Sequence, residues 1–402
     1  MQALASIVIK GLFTAHLGLS LSLIRASRSA RILSCMRLQR CGPAAMGWAT
    51  LRTMPRPSPA APDPAEVSRS ASLADVAALA GVSAGTVSRA LSRPDMLSEA
   101  TRTRVLAAAE RLGYVANGAA RALAMRRSFT VGAIVPRFGR SSFPTMVQAL
   151  EATLAAEGYT LLLSAPERER GHDPALLRAL LERGVDAVAL LGADQPPALF
   201  AALAAHRRPF VLMWAEHSAQ GPCVGFDEAG AGAQVVAHLA ALGHRRIGIL
   251  TGSTAENERA QRRLRGLTAA IARHGLQLHP EALVETETGF AQGHAAMQTL
   301  LARRTPVTAV VCANDYLAAG ALSALDQAGV AVPAQMSVAS FNDNDFAAFL
   351  HPPLTTVHLP IEEIGEQAGR VLLAVLRGDA PPANPLLPAT LVVRASTGPA
   401  PR

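Results

Sequence analysis

Leu73-Ala-Asp-Val-Ala-Ala-Leu-Ala-Gly-Val-Ser-Ala-Gly-Thr-Val-Ser-Arg-Ala-Leu91 is the stretch on which the reading of this chain turns. Ser72, just ahead of it, and Asp75 predict a helix N-terminus, because the hydroxyl accepts from a free amide and the acid suits the positive end of the dipole. Val76, Ala77, Leu79 and Ala80 supply the buried face of a short first helix. Gly81 permits a tight turn, Val82 plugs it, and Ser83 caps a second helix over Ala84–Leu91. Val87 and Leu91, four apart, point inward, which leaves Ala84, Gly85, Thr86, Ser88 and Arg89 on the outer surface.

Working outward, Ser98 caps a third helix over Glu99–Leu112, with Val105, Leu106, Ala109 and Leu112 at helical spacing and Gly113 as its stop. Three short helices around a glycine-containing turn suit a DNA-binding module, since the second can enter the major groove while the others brace it. A plain three-helix bundle would carry the same pattern.

The run Leu73–Leu91, followed by Thr101-Arg-Thr-Arg-Val-Leu-Ala-Ala-Ala-Glu-Arg-Leu-Gly-Tyr114, resembles the head-piece of the lactose-repressor (LacI/GalR) family, with a likeness to its gluconate-repressor type. Asn117-Gly-Ala-Ala-Arg-Ala-Leu-Ala124 resembles that family's hinge helix, and the likeness covers nearly everything after residue 71. The resemblance implies that Ala84, Gly85 and Arg89 take the places that read bases, with Arg89 offering a guanine a bidentate pair of donors. It implies phosphate or sugar contacts from Thr86 and Ser88, and it puts Ser83, Asn117, Ala120 and Arg121 in the DNA-facing set. Leu123 matches the hinge leucine that wedges into the central base step. The departure lies at Ala84 and Gly85, which bring no hydrogen-bonding side chain, so that a thymine methyl or close backbone approach is what they can offer.

Charge is distributed in keeping with this. The formal net charge is +8, but residues 1–70 contribute +7, residues 71–129 contribute +4, and residues 130–402 contribute −3. Basicity stops where the large second domain starts, as expected if only the front of the chain meets phosphate. Met1–Ile24 is apolar with Lys10 its only charge, and Arg25, Arg28 and Arg31 follow it. A secretory signal wants its positive charges ahead of the apolar run, and an anchor wants about 20 uninterrupted apolar residues. An extension without a fold, with Met36, Met46 or Met54 as the working start, is the favoured reading, followed by a Pro- and Ala-rich linker over Arg52–Pro64. Cys35, Cys41, Cys223 and Cys312 form no C-x-x-C pair and no His cluster joins them, so a reduced, cytoplasmic chain without metal is expected.

From Thr130 short apolar runs alternate with amphipathic segments. Thr130–Val135, Thr160–Ser164, Asp186–Leu191, Phe210–Met213, Ile247–Leu250, Ala309–Cys312 and Ser337–Phe341 read as strands. Right-handed βαβ units then build parallel sheets covered on both faces, too many strands for one small sheet, so two Rossmann-like lobes follow. This resembles the periplasmic-binding-protein type I fold. The expected organisation is an extension and linker (1–70), an all-α helix-turn-helix head-piece (71–116), a hinge helix (117–128) and an α/β effector-binding and dimerisation domain (129–402).

Such lobes bind ligands at the C-terminal ends of their strands. Asn314 and Asp315 follow the strand around Ala309–Cys312, and the resemblance implies that Asp315 accepts from an effector hydroxyl or ring nitrogen. Arg263 matches the family's effector-contacting arginine, although it stands among four arginines over 259–265 and reads equally as a surface residue. Phe341, Asn342 and Asp343, beside Pro353–Val357, mark an expected lobe-to-lobe crossing, with Phe341 and Asp343 in the effector set. Trp214, after the Phe210–Met213 strand, offers a face to a sugar or serves as packing.

The expected function is a transcriptional regulator, a repressor of a catabolic operon, controlled by a sugar, sugar acid or purine-like effector and binding a palindromic double-stranded operator as a homodimer, with a tetramer as the larger alternative. A periplasmic-type sugar-binding protein is the rival reading, and the helix-turn-helix argues against it. No G-x-G-x-x-G follows a first strand and no P-loop is present, so neither an enzyme nor a cofactor is expected, and no stable membrane association is expected either.

Overall fold

The computed structural model describes residues 70–402 except 93, 119–121, 123, 124, 126, 137–141, 166–173, 256 and 383–385. The extension and linker over 1–69, and the DNA-facing candidates Ala120, Arg121 and Leu123, lie outside the described residues.

The head-piece is built of α1 (Leu73–Ala80), α2 (Ala84–Ser92) and α3 (Glu99–Arg111). Ser72 and Asp75 cap α1 reciprocally: the Asp75 amide donates to Ser72 Oγ at 3.3 Å and the Ser72 amide to Asp75 Oδ2 at 2.8 Å. Gly81 ends the helix at φ 65°, a conformation that a side chain would strain. Ser83 and Ser98 cap α2 and α3 by accepting from the amides of Thr86 and Thr101. The core consists of Val76, Ala77, Val87, Ala90, Val105, Ala108 and Ala109. Leu79, Leu106 and Leu112, expected inside, are exposed. The buried stripe of α3 runs through 105, 108 and 109, and Leu106, rotated about 100° from Val105, falls off it. Alanines in the seam let the helices approach closely.

Two six-stranded sheets follow. The first has the order β2-β1-β3-β4-β5-β11, with β1 (Thr130–Ile134), β2 (Thr160–Ser164), β3 (Ala187–Leu191), β4 (Phe210–Met213), β5 (Cys223–Phe226) and β11 (Leu386–Leu387), all parallel. The second has the order β7-β6-β8-β9-β10-β12, with β6 (Ile247–Gly252), β7 (Leu283–Thr286), β8 (Ala309–Cys312), β9 (Ser337–Asn342), β10 (Thr355–His358) and an antiparallel β12 (Thr390–Val392). Both are doubly wound, with the strand order reversing beside the first strand of each lobe. The helices are α4 (Phe143–Ala155), α5 (Pro174–Glu182), α6 (Pro197–Ala205), α7 (Glu228–Ala241), α8 (Glu258–Arg273), α9 (Phe290–Ala302), α10 (Asp315–Gln327) and α11 (Ile361–Arg377).

In the first lobe α4 and α11 cover one face while Leu177, Leu180, Leu199 and Leu203 of α5 and α6 cover the other. In the second lobe α7 and α8 cover one face, and α9 and α10 pack on the other through Met297, Leu300, Leu317 and Leu325. The chain crosses between lobes three times, at Asp227, at Leu359–Pro360 and at Pro388–Ala389. The crossing expected near Phe341–Asp343 therefore comes later, since those residues end β9 and β10 still belongs to the second lobe.

Two buried polar groups pin the chain ends of this domain. Asp186 accepts from the amides of Ser128 at 3.0 Å and Phe129 at 2.8 Å, holding the entry to β1. His244 is fully buried and joins Thr308, Ser337 and the carbonyl of Gly398, holding the returning C-terminal segment.

Candidate functional site

Two surfaces carry the residues singled out in the sequence. On the head-piece, burial of Val87 and Ala90 turns the opposite face of α2 outward, so that Ala84, Gly85, Ser88 and Arg89 are exposed with Ser83, while Thr86 is half-buried. Ser83 and Thr86 hydroxyls lie 3.0 Å apart, and Thr86 also donates its amide to Ser83 Oγ at 3.2 Å. A β-carbon at Gly85 would stand 3.9 Å from Arg89 Nη2, so the guanidinium folds back along the helix over the glycine. Asn117, at the start of the hinge segment, is exposed.

The second surface is the cleft between the lobes, at the C-terminal ends of the strands. Trp214 ends β4 with φ 57° and is 8% exposed, edge-on to Phe143 at 5.6 Å and Phe226 at 5.7 Å between ring centroids. Its Nε1 donates to Glu228 Oε1 at 3.0 Å. The ring packs against two other aromatics, and its donor is already engaged. Arg263, 8% exposed, donates from Nε to Glu228 Oε2 at 2.8 Å, from Nη2 to Glu228 Oε1 at 3.0 Å, and from Nη1 to the Ala313 carbonyl. Its guanidinium lies over the Phe341 ring, 4.7 Å from the centroid. Glu228, which begins α7 directly after the first crossing, thus ties the first lobe's Trp214 to the second lobe's Arg263.

Asp315 is wholly buried at the first turn of α10. Its Oδ2 accepts from the Asn344 amide at 2.7 Å and Asn344 Nδ2 at 3.0 Å, and its Oδ1 accepts from Thr356 Oγ1 at 2.8 Å and from Ser340 Oγ. Burial pushes its carboxyl above the usual range, and the four donors pull against that shift. Burial, and after it the same carboxylate, push the Cys312 thiol upward, which keeps it protonated. Asn314 caps α10 by accepting from the Leu317 amide at 3.0 Å. Asp343 pairs with Arg394 at 2.7 Å and with His358 at 3.3 Å.

The structure therefore gathers Trp214, Arg263, Phe341, Asn314 and Asp315 at one end of the sheets, with Asp343 turned to the neighbouring Arg394. Sequence reasoning missed the partners that hold them: Glu228, Ser340, Asn344 and Thr356. Glu228 is within reach of the strand-end argument, but Cys223-Val-Gly-Phe226 carries a glycine and does not read as a strand by its own pattern. That glycine is required, since a β-carbon on Gly225 would lie 2.5 Å from the Ala215 carbonyl oxygen.

The lobes also touch across the cleft. Asn342, at φ 108°, donates from Nδ2 to Ser142 Oγ at 3.1 Å, and Ser142 donates to Asn344 Oδ1 at 3.0 Å. Asp194, past the end of β3, accepts from the Glu258 amide at the start of α8 at 3.4 Å. Glu216 pairs with Arg262 at 3.5 Å.

Comparison with known proteins finds counterparts for both the head-piece and the two-lobed domain. Residues 72–117 match the family of bacterial regulatory proteins, lacI family, and residues 236–397 match the periplasmic binding protein-like domain. The HTH-type transcriptional repressor CytR of Escherichia coli (strain K12) is 34% identical over 332 residues, which cover 81% of this chain and 96% of CytR. The crystal structure of transcription regulator GntR from Chromobacterium violaceum superposes with a TM-score of 0.63 at 33% identity, covering 67% of this chain and 99% of that one. The lac repressor dimer bound to operator and the anti-inducer ONPF gives a TM-score of 0.72 at 28% identity, covering 82% and 99%. Identity at this level along almost the whole of a curated relative, with a head-piece and two lobes that each find their counterpart, means that this chain belongs to the lacI family of bacterial regulatory proteins and is a DNA-binding transcriptional regulator.

Proposed function

We propose that the chain is an effector-controlled repressor that binds a palindromic operator as a dimer in the cytoplasm and releases or tightens its grip when a small polar molecule enters the cleft. The observation that carries this reading is Arg89, exposed on α2 with no partner among the described residues and folded over Gly85. A free planar fork of donors on a recognition helix suits guanine O6 and N7, a contact that contributes about 1–3 kcal/mol of discrimination. Ala84 and Gly85 beside it contribute shape and close approach, and Ser83, Thr86, Ser88 and Asn117 contribute backbone contacts. Leu123 is assigned by the family resemblance to the minor groove at the operator centre, with Arg121 adding backbone charge beside it and Ala120 in the DNA-facing set.

In the cleft, a sugar, sugar acid or purine-like effector would meet the surroundings of Trp214, Arg263, Asn314, Asp315, Phe341 and Asp343. Closure of the lobes on it couples to DNA because an effector with unequal affinity for two lobe arrangements shifts their populations. The segment that leads from the hinge is tied to the first lobe: Arg127 Nη2 donates to the Leu376 carbonyl at the end of α11 at 2.9 Å, and α11 itself begins at the second crossing.

Selection of bound sequences from a random double-stranded library tests the reading. A recovered inverted repeat with a guanine in each half-site, lost on Arg89→Ala while salt-dependent nonspecific binding persists, is the expected result; a monomeric, sequence-indifferent binder would overturn it.

A further inference from the structure

The three cleft-facing arginines of α8 are not equivalent. Arg262 is held by Glu258 and by Glu216, and Arg263 by Glu228. Arg259, in the first turn, makes no hydrogen bond and lies within 4 Å of no carboxylate among the described residues, although the chain has made room for it. A β-carbon at Gly192, which ends β3 at φ 82°, would stand 2.9 Å from Arg259 Nη1 and 2.7 Å from Asp194 Oδ1. The Phe143 ring flanks the guanidinium, 5.8 Å from Cζ to centroid. Asp194, the acid with the strongest pull on this charge, offers its Oδ2 to the Glu258 amide at the helix start instead. Desolvation drives the pKa of the half-buried Arg259 down, against the pull of Asp194 and Glu228.

A second observation lies on the other side of the Ser142–Phe143 dipeptide. Asn342 is 9% exposed and its Oδ1 is a buried acceptor to which nothing donates, while its Nδ2 is fixed on Ser142 Oγ. The residue holds a left-handed backbone, φ 108°, and such strain concentrates where a side chain must be aimed. An unmet buried acceptor is costly, a half-buried cation without a partner is open to an anion, and both sit at the strand ends that form the cleft.

We propose that Arg259, rather than Arg263, is the effector-reading arginine of this chain, and that the effector is a small hydroxylated carboxylate whose carboxylate lies on Arg259 and whose hydroxyl donates to Asn342 Oδ1. The inference rests on the reading of the cleft as an effector site and narrows its chemistry. A neutral sugar would satisfy Asn342 and leave the Arg259 charge unpaired. Asp315, with both oxygens engaged inside the chain, and Arg263, with three of its five donors spent on Glu228 and the Ala313 carbonyl, hold the shape of the cleft first.

The experiment uses the full-length protein, titrated calorimetrically with a panel of hydroxy acids of three to six carbons, each paired with its uncharged analogue: D-gluconate with D-glucitol and D-glucose, D-glucuronate with D-glucose, D-glycerate with glycerol. At least one acid should bind with its neutral counterpart at least about tenfold weaker, since a hydrogen bond to a charged group contributes about 1.5–3 kcal/mol. Arg259→Ala should weaken that acid by about 10- to 100-fold and abolish its preference over the neutral analogue, with Arg259→Lys restoring part of it and the unliganded melting temperature of Arg259→Ala no lower than that of the wild type. Binding of a neutral analogue as tightly as its acid, no binding by any acid, or an undiminished preference in Arg259→Ala overturns the proposal. Operator binding by the unliganded protein is measured alongside: its absence would remove the repressor reading itself, whereas operator binding with no acid response through Arg259 removes only this inference.

Discussion

Glu228 grips Arg263 with both carboxylate oxygens, Oε2 to Nε at 2.8 Å and Oε1 to Nη2 at 3.0 Å, in a spot where neither residue meets appreciable solvent. Such a pair contributes little net stability over an apolar replacement, but breaking it strands a buried charge. Arg263→Ala is expected to destabilise the sensor domain by about 3–5 kcal/mol, read by urea denaturation. The double variant Glu228→Gln with Arg263→Met should recover most of that loss. A single variant as stable as wild type would mean that Glu228 finds water in solution.

Asp315 separates two kinds of donor. The Ser340 and Thr356 hydroxyls can reverse and accept, whereas the amide and Nδ2 of Asn344 cannot. Asp315→Asn should therefore fold, turning its oxygen to Asn344 and its amide nitrogen to the hydroxyls, at a cost near 1 kcal/mol or less. Asp315→Ala leaves buried donors unmet and should lose roughly 3 kcal/mol or more. Equal melting temperatures for the two variants would contradict this account.

Gly85→Ala adds a methyl at ordinary contact distance from Ser83 and Arg89, so the head-piece should keep its stability, and a loss of operator affinity would then measure the close approach of this position to DNA. Gly85→Gln places a long side chain where the Arg89 guanidinium lies, and the selected operator should change at the base pair Arg89 reads. A competition gel shift with half-site variants distinguishes the two.

His244 gives a pH signature. Its Nε2 proton goes to the Gly398 carbonyl and its Nδ1 accepts from Thr308, so the neutral ring is the form that fits. Burial lowers its pKa below the ordinary histidine value of about 6.5. Stability from this contact is complete above that value and is lost as pH falls, because the unfolded chain takes up the proton first. His238, depressed by burial as well, acts in the same direction. His244→Gln should flatten the fall in melting temperature between pH 7 and about 5.

Much of this molecule was legible in one dimension where physics is local. Caps at Ser72, Ser83 and Ser98, the turn at Gly81 and seven of the strands follow from hydroxyls, glycine and apolar runs. The five strands that escaped, β5, β7, β10, β11 and β12, have four residues or fewer, and each is specified by its neighbours rather than by its own pattern. The cleft was legible as a place but not as a circuit. Asp315 was found because it follows a strand, but that four donors converge on it from β9, β10 and the loop at Asn344 is a long-range fact. Arg259 and Arg263 look alike in Glu-Arg-Ala-Gln-Arg-Arg-Leu-Arg, and only the position of Glu228, thirty-five residues away in sequence from Arg263, tells them apart.

The three crossings have a consequence at the level of the gene. The first lobe is assembled from 130–226 and 361–387 and the second from 228–358 and 390–402, so neither is encoded by a continuous stretch. No single truncation or fusion point can isolate or exchange one lobe. Recombination between relatives can transplant the operator-reading head as one cassette, but it must inherit the sensor whole.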